Sequence, residues 1–487
     1  VTTVHEAGDQ NVPPPAADEV SVWEDDPGAP PSTRTPVLRA RPALRTGPLA
    51  IDVEGAVPPD AEGAVRYWTA AEALGRTVAL YAPLFPPEVF PDGAAWNPAV
   101  GDTLVANLNA GVDLNAYYDR QGLAFFRQHV NGVTVWSGES PDIVSHETGH
   151  AVLDALCPWM WDAASAEIAA FHESFGDITA VLSGLRLATL REQVIGETGG
   201  ELSRSSRLSR LAEQLGWAVR QVAPSSADPD CLRNASNELF YKDPVSLPPS
   251  APASQLSSEP HSFSRVFTGA FLRALAGMVH TLAGEGTVDD EALRIAGEDA
   301  ATLLVTAVTR TAAVPSYYAQ VAAHLIRVDQ EKFAGKYTPA LQAAFVRHGI
   351  LSPGSAESVA DGLGADDEKL ERQIAPDLPE PRGGATSAVA VSGRPYGLPD
   401  DLTVRAPIEE PRFAVASAAP SRGDLTPTPG EDVAAAFVED LFRQGRIVVP
   451  PEYRRGFAAS GGLDGTLRTH EIANNGIGLV LVRRVFD

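Results

Sequence analysis

Two cysteines, Cys157 and Cys231, are all that a chain of 487 residues contains. That scarcity excludes a disulfide framework and any metal cluster made of cysteine alone. A free, partly buried pair is the expected state, with one bridge between them as the alternative. Basic side chains are also short: 38 lysines and arginines stand against 63 aspartates and glutamates, a formal net charge of -25. Such an excess repels phosphate backbones and anionic lipid, which argues against nucleic acid and membrane surfaces as partners. Long hydrophobic runs are missing too, because the greasiest stretches are broken by Arg273 or Glu298, so no membrane insertion is expected. The opening residues, VTTVHEAGDQNVPPP, have neither the basic nor the apolar segment of a signal peptide. A cytoplasmic protein is the expectation, with export by an unconventional route as the alternative.

Proline, by contrast, is plentiful and uneven. Residues 1–60 and 352–430 hold eleven prolines each of the 40 in the chain, and neither stretch shows sustained periodicity. The chain therefore divides into a largely disordered Pro-rich segment (1–60), a mixed α/β lobe (61–158), a mostly helical lobe (159–351), an acidic Pro/Gly/Ser-rich linker (352–430) and a small C-terminal α+β piece (431–487). Strand-like runs occur at Thr77–Leu84, Asp102–Leu108 and Gly132–Ser137. Helical patterns follow at Pro141–Leu156, Ala164–Leu185, Ser206–Val222, Ser262–Leu282, Asp289–Thr309, Ser316–Phe333 and Pro339–Ile350. Thr287 with Asp290 reads as a capping box. The C-terminal piece reads as a helix, Asp432–Phe442, and a hairpin about Asn474-Asn475-Gly476, with Thr469-His470-Glu471 at a hairpin surface position. That piece either docks on the rest or recruits a partner.

The informative segment is PDIVSHETGHAVLDALCP, residues 141–158. On a helix, His146 and His150 stand one turn apart on one face, so both imidazoles can reach one Zn²⁺. Glu147 leans into the same cleft, where a carboxylate can take a proton from an activated water. A tetrahedral catalytic site needs a third protein ligand, and the next helical segment, AAFHESFGDITAVL, offers Glu173. His172 is the rival, rotated about 100° around the helix, and Glu167 is weaker. Asp177, one turn beyond Glu173, can accept the N–H of a liganding imidazole and fix its tautomer.

These residues resemble the thermolysin-like (gluzincin) zinc metallopeptidases, on the His146 to His150 helix followed by the Glu173 to Asp177 helix. Weaker signals flank them in the same order. Asn115-Ala116-Tyr117-Tyr118 looks like the family's Asn-Ala-aromatic edge strand, which holds the substrate peptide extended. Leu232-Arg233-Asn234 is similar to the segment whose arginine binds a substrate carbonyl. His261 resembles the histidine that donates to the tetrahedral oxyanion. The likeness spans about residues 61–350 and implies an α+β, two-lobed fold with the zinc site between the lobes, carrying Pro-rich tethers and the C-terminal piece in addition.

What the resemblance implies for function is hydrolysis of internal peptide bonds in a peptide or protein substrate. One Zn²⁺ on His146, His150 and Glu173 is implied, with Glu147 as general base and His261 catalytic. Asn115, Ala116 and Arg233 would hold the peptide, and Asp177 would steady a ligand. Three departures stand out. No tyrosine occurs between His150 and Glu173, where the family supplies a second oxyanion donor; Trp159 and Trp161 are there instead, as core aromatics or as an indole donor. Before His261 only Glu259 could orient it. The family's structural Ca²⁺ site has Asp142 for one position but no acidic side chain just after Asp177. The competing readings are a catalytically weak or inactive zinc-containing binding module and a zinc exopeptidase.

Overall fold

Short strands open the chain. The computed structural model describes residues 18–361, 386–407, 429–453 and 468–484. β1 (Glu19–Val22) and β2 (Val37–Ala40) pair antiparallel, and β3 (Ala50–Val53) is buried at every position. Residues 18–53, expected to lack regular structure, are thus built into the body. What holds them is polar rather than periodic. The buried Asp26 carboxylate accepts the backbone N–H of Gly28 at 2.8 Å and of Gln214 at 2.9 Å, and Arg34 bridges Glu213 at 2.6 Å and Asp25 at 3.3 Å. The disorder expected for residues 1–17 lies outside the described residues.

α1 (Ala61–Tyr81) starts at Asp60, whose carboxylate accepts the N–H of Gly63 at 2.7 Å. It absorbs most of the run Thr77–Leu84 that its residue types suggested as a strand. The buried Thr77 hydroxyl sits 3.1 Å from that of Ser145 and 3.0 Å from that of Ser183, so tertiary packing overrides local β preference. β4 (Thr103–Asn107), β5 (Ala116–Tyr118) and β6 (Leu123–Phe125) join β3 in a sheet of order β3-β4-β6-β5. β5 pairs only with β6, antiparallel, and so forms an edge. β7 (Arg127–Val130) and β8 (Val133–Trp136) make a hairpin just before the histidine helix.

Helices dominate from there. α2 (Pro141–Leu156) and α3 (Ala166–Gly184) match their expected segments closely. α4 (Ala188–Thr198) was not expected, because its apolar residues make no clear face. The segment from Ser206 is helical only from Glu213: β9 (Arg210–Leu211) precedes α5 (Glu213–Val222) and pairs with β10 (Arg233–Asn234). α6 (Pro260–Ala283), α7 (Asp290–Arg310), α8 (Tyr317–Phe333), α9 (Thr338–Arg347) and α10 (Pro353–Ala360) complete the series. The start of α7 is capped by Asp289, which accepts from Ala292 N–H at 2.9 Å, rather than by Thr287. By length and composition α6 is apolar enough to cross a membrane, and 67% of its most apolar window is buried in the core.

One hydrophobic core runs from Leu49 to Val359 and takes in both the β-rich and the helical segments. A second core belongs to the C-terminal residues. β11 (Ser387–Val391) and β12 (Leu402–Ala406) lie in what read as linker, and they join β13 (Ile447–Val448), β14 (His470–Asn474) and β15 (Leu479–Arg483) in a sheet of order β11-β12-β15-β14-β13. The alternating burial of β12, with Leu402, Val404 and Ala406 inside, is an amphipathic strand signal hidden in an otherwise Pro-rich stretch. α11 (Gly430–Arg443) packs Ala434, Val438 and Leu441 onto that sheet. The expected hairpin forms between β14 and β15, with Gly476 at φ +87° in its turn. Overall the fold is mixed α+β.

Candidate metal centre

α2 and α3 cross at two glycines. A Cβ on Gly149 would sit 2.7 Å from the Thr179 hydroxyl oxygen, and one on Gly176 would sit 2.7 Å from the His146 ring. Only hydrogen at those positions lets the two helices bring His146, His150 and Glu173 to one point. His146, Glu147 and His150 are all buried, and their potential ligand atoms lie within 4.8 Å of one another. The Glu173 Oε2 atom is 3.5 Å from His146 Nε2 and 3.8 Å from His150 Nε2. Ligands about 2.0–2.1 Å from a tetrahedral ion stand about 3.4 Å apart, so both separations suit a common cation. The same Oε2 is buried and accepts no well-formed hydrogen bond, as a carboxylate oxygen reserved for a metal would. This donor set of two imidazoles and a carboxylate is one that zinc accepts.

Outer partners hold the imidazoles. His146 Nδ1 lies 3.0 Å from Asp177 Oδ1, an arrangement that leaves Nε2 to the cleft. Asp177 in turn takes two N–H bonds from Arg233, at 2.8 and 3.1 Å. Burial works against the Asp177 charge, but Arg233 and His146 outweigh it and hold the carboxyl below its usual range. Burial also opposes the charged form of His146, yet the carboxylates of Asp177 and Glu173 push it up to about 10. His150, without such a carboxylate, is driven by burial down to about 3. Its Nδ1 is 2.8 Å from His172 Nδ1. His172, the rival of Glu173 in the sequence, thus pairs with the His150 ring and does not line the cleft.

Other sequence candidates gather around the same cleft. Asn115 and Ala116 line it at the β5 edge with His146, Glu147 and His261. His261, at the start of α6, places Nδ1 2.7 Å from Glu259 and Nε2 3.3 Å from Glu173 Oε2. Glu259 is therefore the carboxylate that orients it. Arg233 lines a second, mostly apolar pocket with Ile143, Leu211, Leu215 and Val219. Asp142 faces Asp25, Asp26 and Glu213 and accepts the N–H of Ala212 at 3.2 Å, with burial raising it well above the usual carboxylate range. Arg34 already neutralises part of that group. Among the described residues, the only metal-sized cluster of histidine, cysteine and acidic ligands is the one on α2. Cys157 and Cys231 are free and buried.

No family model matches the chain, and no curated protein is similar to it. Fifteen chains of solved structures are. The precursor of protealysin, a metalloproteinase from Serratia proteamaculans, is 15% identical over 68% of this chain and 87% of its own, with a TM-score of 0.37. A likeness of that size carries no argument about fold or chemistry, which rest on the residues themselves.

Sequence reasoning missed several residues. Asp154 lies one turn beyond His150, where it accepts from the Tyr118 hydroxyl at 2.8 Å and from Arg120 at 2.6 and 3.0 Å. Its i+4 spacing from His150 was the available signal. Trp161 lines the cleft, whereas Trp159 packs edge-on against Tyr317 as core. The cleft's far side comes from the C-terminal unit: Phe437, Asp440, Leu441, Gln444, Arg446 and His470 line it. His470, expected on a hairpin surface, is pushed by burial down to about 3. Docking is by a backbone bond from Ala164 N–H to Arg405 O at 2.7 Å, a bond from Ser258 to Asp440 at 3.0 Å and the Arg446–Glu259 pair at 3.4 Å.

Proposed function

We propose that this chain is a zinc-dependent metalloendopeptidase of the thermolysin-like kind, cutting internal bonds of a peptide lying in the cleft between the β5 edge and the helices. The observation that carries this reading is the Glu173 oxygen with no hydrogen bond, facing His146 and His150 at 3.5 and 3.8 Å, beside Glu147. His146, His150 and Glu173 would hold the ion, which when bound supplies Lewis acidity toward a water and a carbonyl.

The chain's own groups do the rest. Burial raises Glu147 to about 7, despite the opposing influence of His146, so its carboxylate can take the attacking water's proton and give it back to the leaving amine. His261, steadied through Nδ1 by Glu259, keeps Nε2 at the cleft to donate to the developing oxyanion. The outward edge of β5 offers backbone donors and acceptors to an extended peptide. Arg233 spends Nε and one Nη on Asp177; the other Nη makes no hydrogen bond among the described residues and can meet a substrate carbonyl.

The test is Glu147→Gln against the parent protein on an internally quenched peptide library, with zinc quantified in both. The expected result is near-stoichiometric zinc in each and internal cleavage reduced about 10²–10⁴-fold in the variant. Absence of zinc sinks the metal reading. Zinc with an uncut library favours a binding module, and release of single terminal residues favours an exopeptidase.

A further inference from the structure

Three arginines line the two pockets of the cleft: Arg233, Arg446 and Arg483. Arg233 is committed to Asp177 and Arg446 to Glu259. The guanidinium of Arg483, the last residue of β15, has no hydrogen bond or ion pair among the described residues. Its guanidinium lies over the Trp161 ring, 4.4 Å from the centroid. Arg120 also meets that ring, at 4.8 Å, but Arg120 is held by Asp154. Arg483 is thus the cleft's one guanidinium without a counter-ion among the described residues.

The surroundings make that state costly. Arg483 is half-buried, with Met160, Phe437 and Leu441 lining the same side of the cleft, and a charge partly withdrawn from water gains from a bound partner. Burial lowers the Arg483 pKa, and Glu173, Asp154 and Asp162, which favour its charge, do so only through space. The first two are engaged elsewhere: Asp154 by Tyr118 and Arg120, Glu173 by the imidazoles. Stacking on an indole satisfies the face of a guanidinium and leaves its edge N–H groups to bind a planar anion in bidentate fashion.

We propose that Arg483 is a specificity-determining residue that binds a carboxylate of the substrate peptide, so that the C-terminal unit selects what enters the cleft. The proposal rests on reading the cleft as a peptide site. Two sources of that carboxylate share the chemistry, an acidic side chain and the free C-terminus of a short peptide.

The experiment uses the full-length Glu147→Gln protein, zinc-loaded, with fluorescein-labelled peptides in matched sets. Glu replaces Gln at each position in turn, and each peptide is made with a free and an amidated C-terminus. The expected preference for the carboxylate form is about 10–100-fold in Kd, as for a charge-assisted bond. Adding Arg483→Met should collapse that ratio toward one, and Arg483→Lys should restore part of it. Arg468→Gln, at an exposed arginine of the same unit, should keep the ratio. Arg483→Glu should shift preference to lysine-bearing peptides, a gain that a misfolded protein cannot produce. Preference for an internal Glu names the side chain as ligand, and preference for the free acid names the terminus. Equal ratios in the Met variant and its parent, or no carboxylate preference at all, overturn the proposal. If binding depends on charge as expected but the wild-type protein cuts none of the peptides, the peptidase reading fails and the recognition role stands.

Discussion

Across the cleft, α2 and α3 face the C-terminal sheet and α11, and the two walls are held in different ways. The α2–α3 wall is part of the main core and nearly every polar group on it has a committed partner: His146 with Asp177, Asp177 with Arg233, His150 with His172, Asp154 with Arg120. The opposite wall has its own small core and touches the body through a few polar contacts and Ala164. Its arginine at position 483 is left unpaired among the described residues. A wall whose imidazoles and outer carboxylates are held in place suits fixed geometry for chemistry. A wall with an uncommitted charge on a separate core suits selection of what binds.

Perturbations of each wall should therefore separate. The largest effect is expected from Glu173→Ala, which deletes the carboxylate facing both imidazoles: zinc content of the purified protein should fall far below one ion per chain and activity should go with it. Asp177→Asn removes the negative charge that steadies His146 and weakens the hold on Arg233, and zinc affinity measured by chelator competition should drop about 10–100-fold. Retained affinity in that variant would mean that the wall's outer partners do not matter. On the other side, Leu402→Ala opens a cavity in the second core, where Leu402 is fully buried, and should cost about 2–5 kcal/mol of local stability. Hydrogen exchange should then quicken in residues 387–406 and 470–483 while α2 and α3 stay protected and zinc stays bound. Uniform loss of protection would erase the distinction between the walls.

The smallest lever is a proton at the start of α3. Burial raises Glu167 from 4.5 to about 7, although Tyr241 and the Tyr318 N–H donate to it. A carboxyl whose folded value exceeds its unfolded one favours folding when protonated. Its contribution is complete below pH 4.5 and is lost as pH rises to about 7. Unfolding free energy followed from pH 5 to 8 should carry this decline in the parent and show a shallower one in Glu167→Gln.

The matched wall was the legible one. His146, His150, Glu173 and Asp177 each obey helical spacing within one segment, so their shared face follows from 3.6 residues per turn. The site's glycines, Gly149 and Gly176, were visible as letters but not as a helix crossing, since close approach is a property of two elements together. Thr77–Leu84 misled because its residue types favour strands while its neighbours Ser145 and Ser183 favour burial in α1. Residues 18–53 and 387–406 were hidden by proline: their short strands are held by Asp26, Arg34 and a sheet assembled from distant segments.

The sequence by itself determined the candidate residues His146, Glu147, His150 and Glu173 and their helical order, because those depend on spacing along single helices. Only the tertiary structure decided that the C-terminal residues form a wall of the same cleft, and that the Arg483 guanidinium stands there without a counter-ion among the described residues. Contacts between Trp161 and Arg483 join positions more than three hundred residues apart, and no local pattern encodes such a meeting.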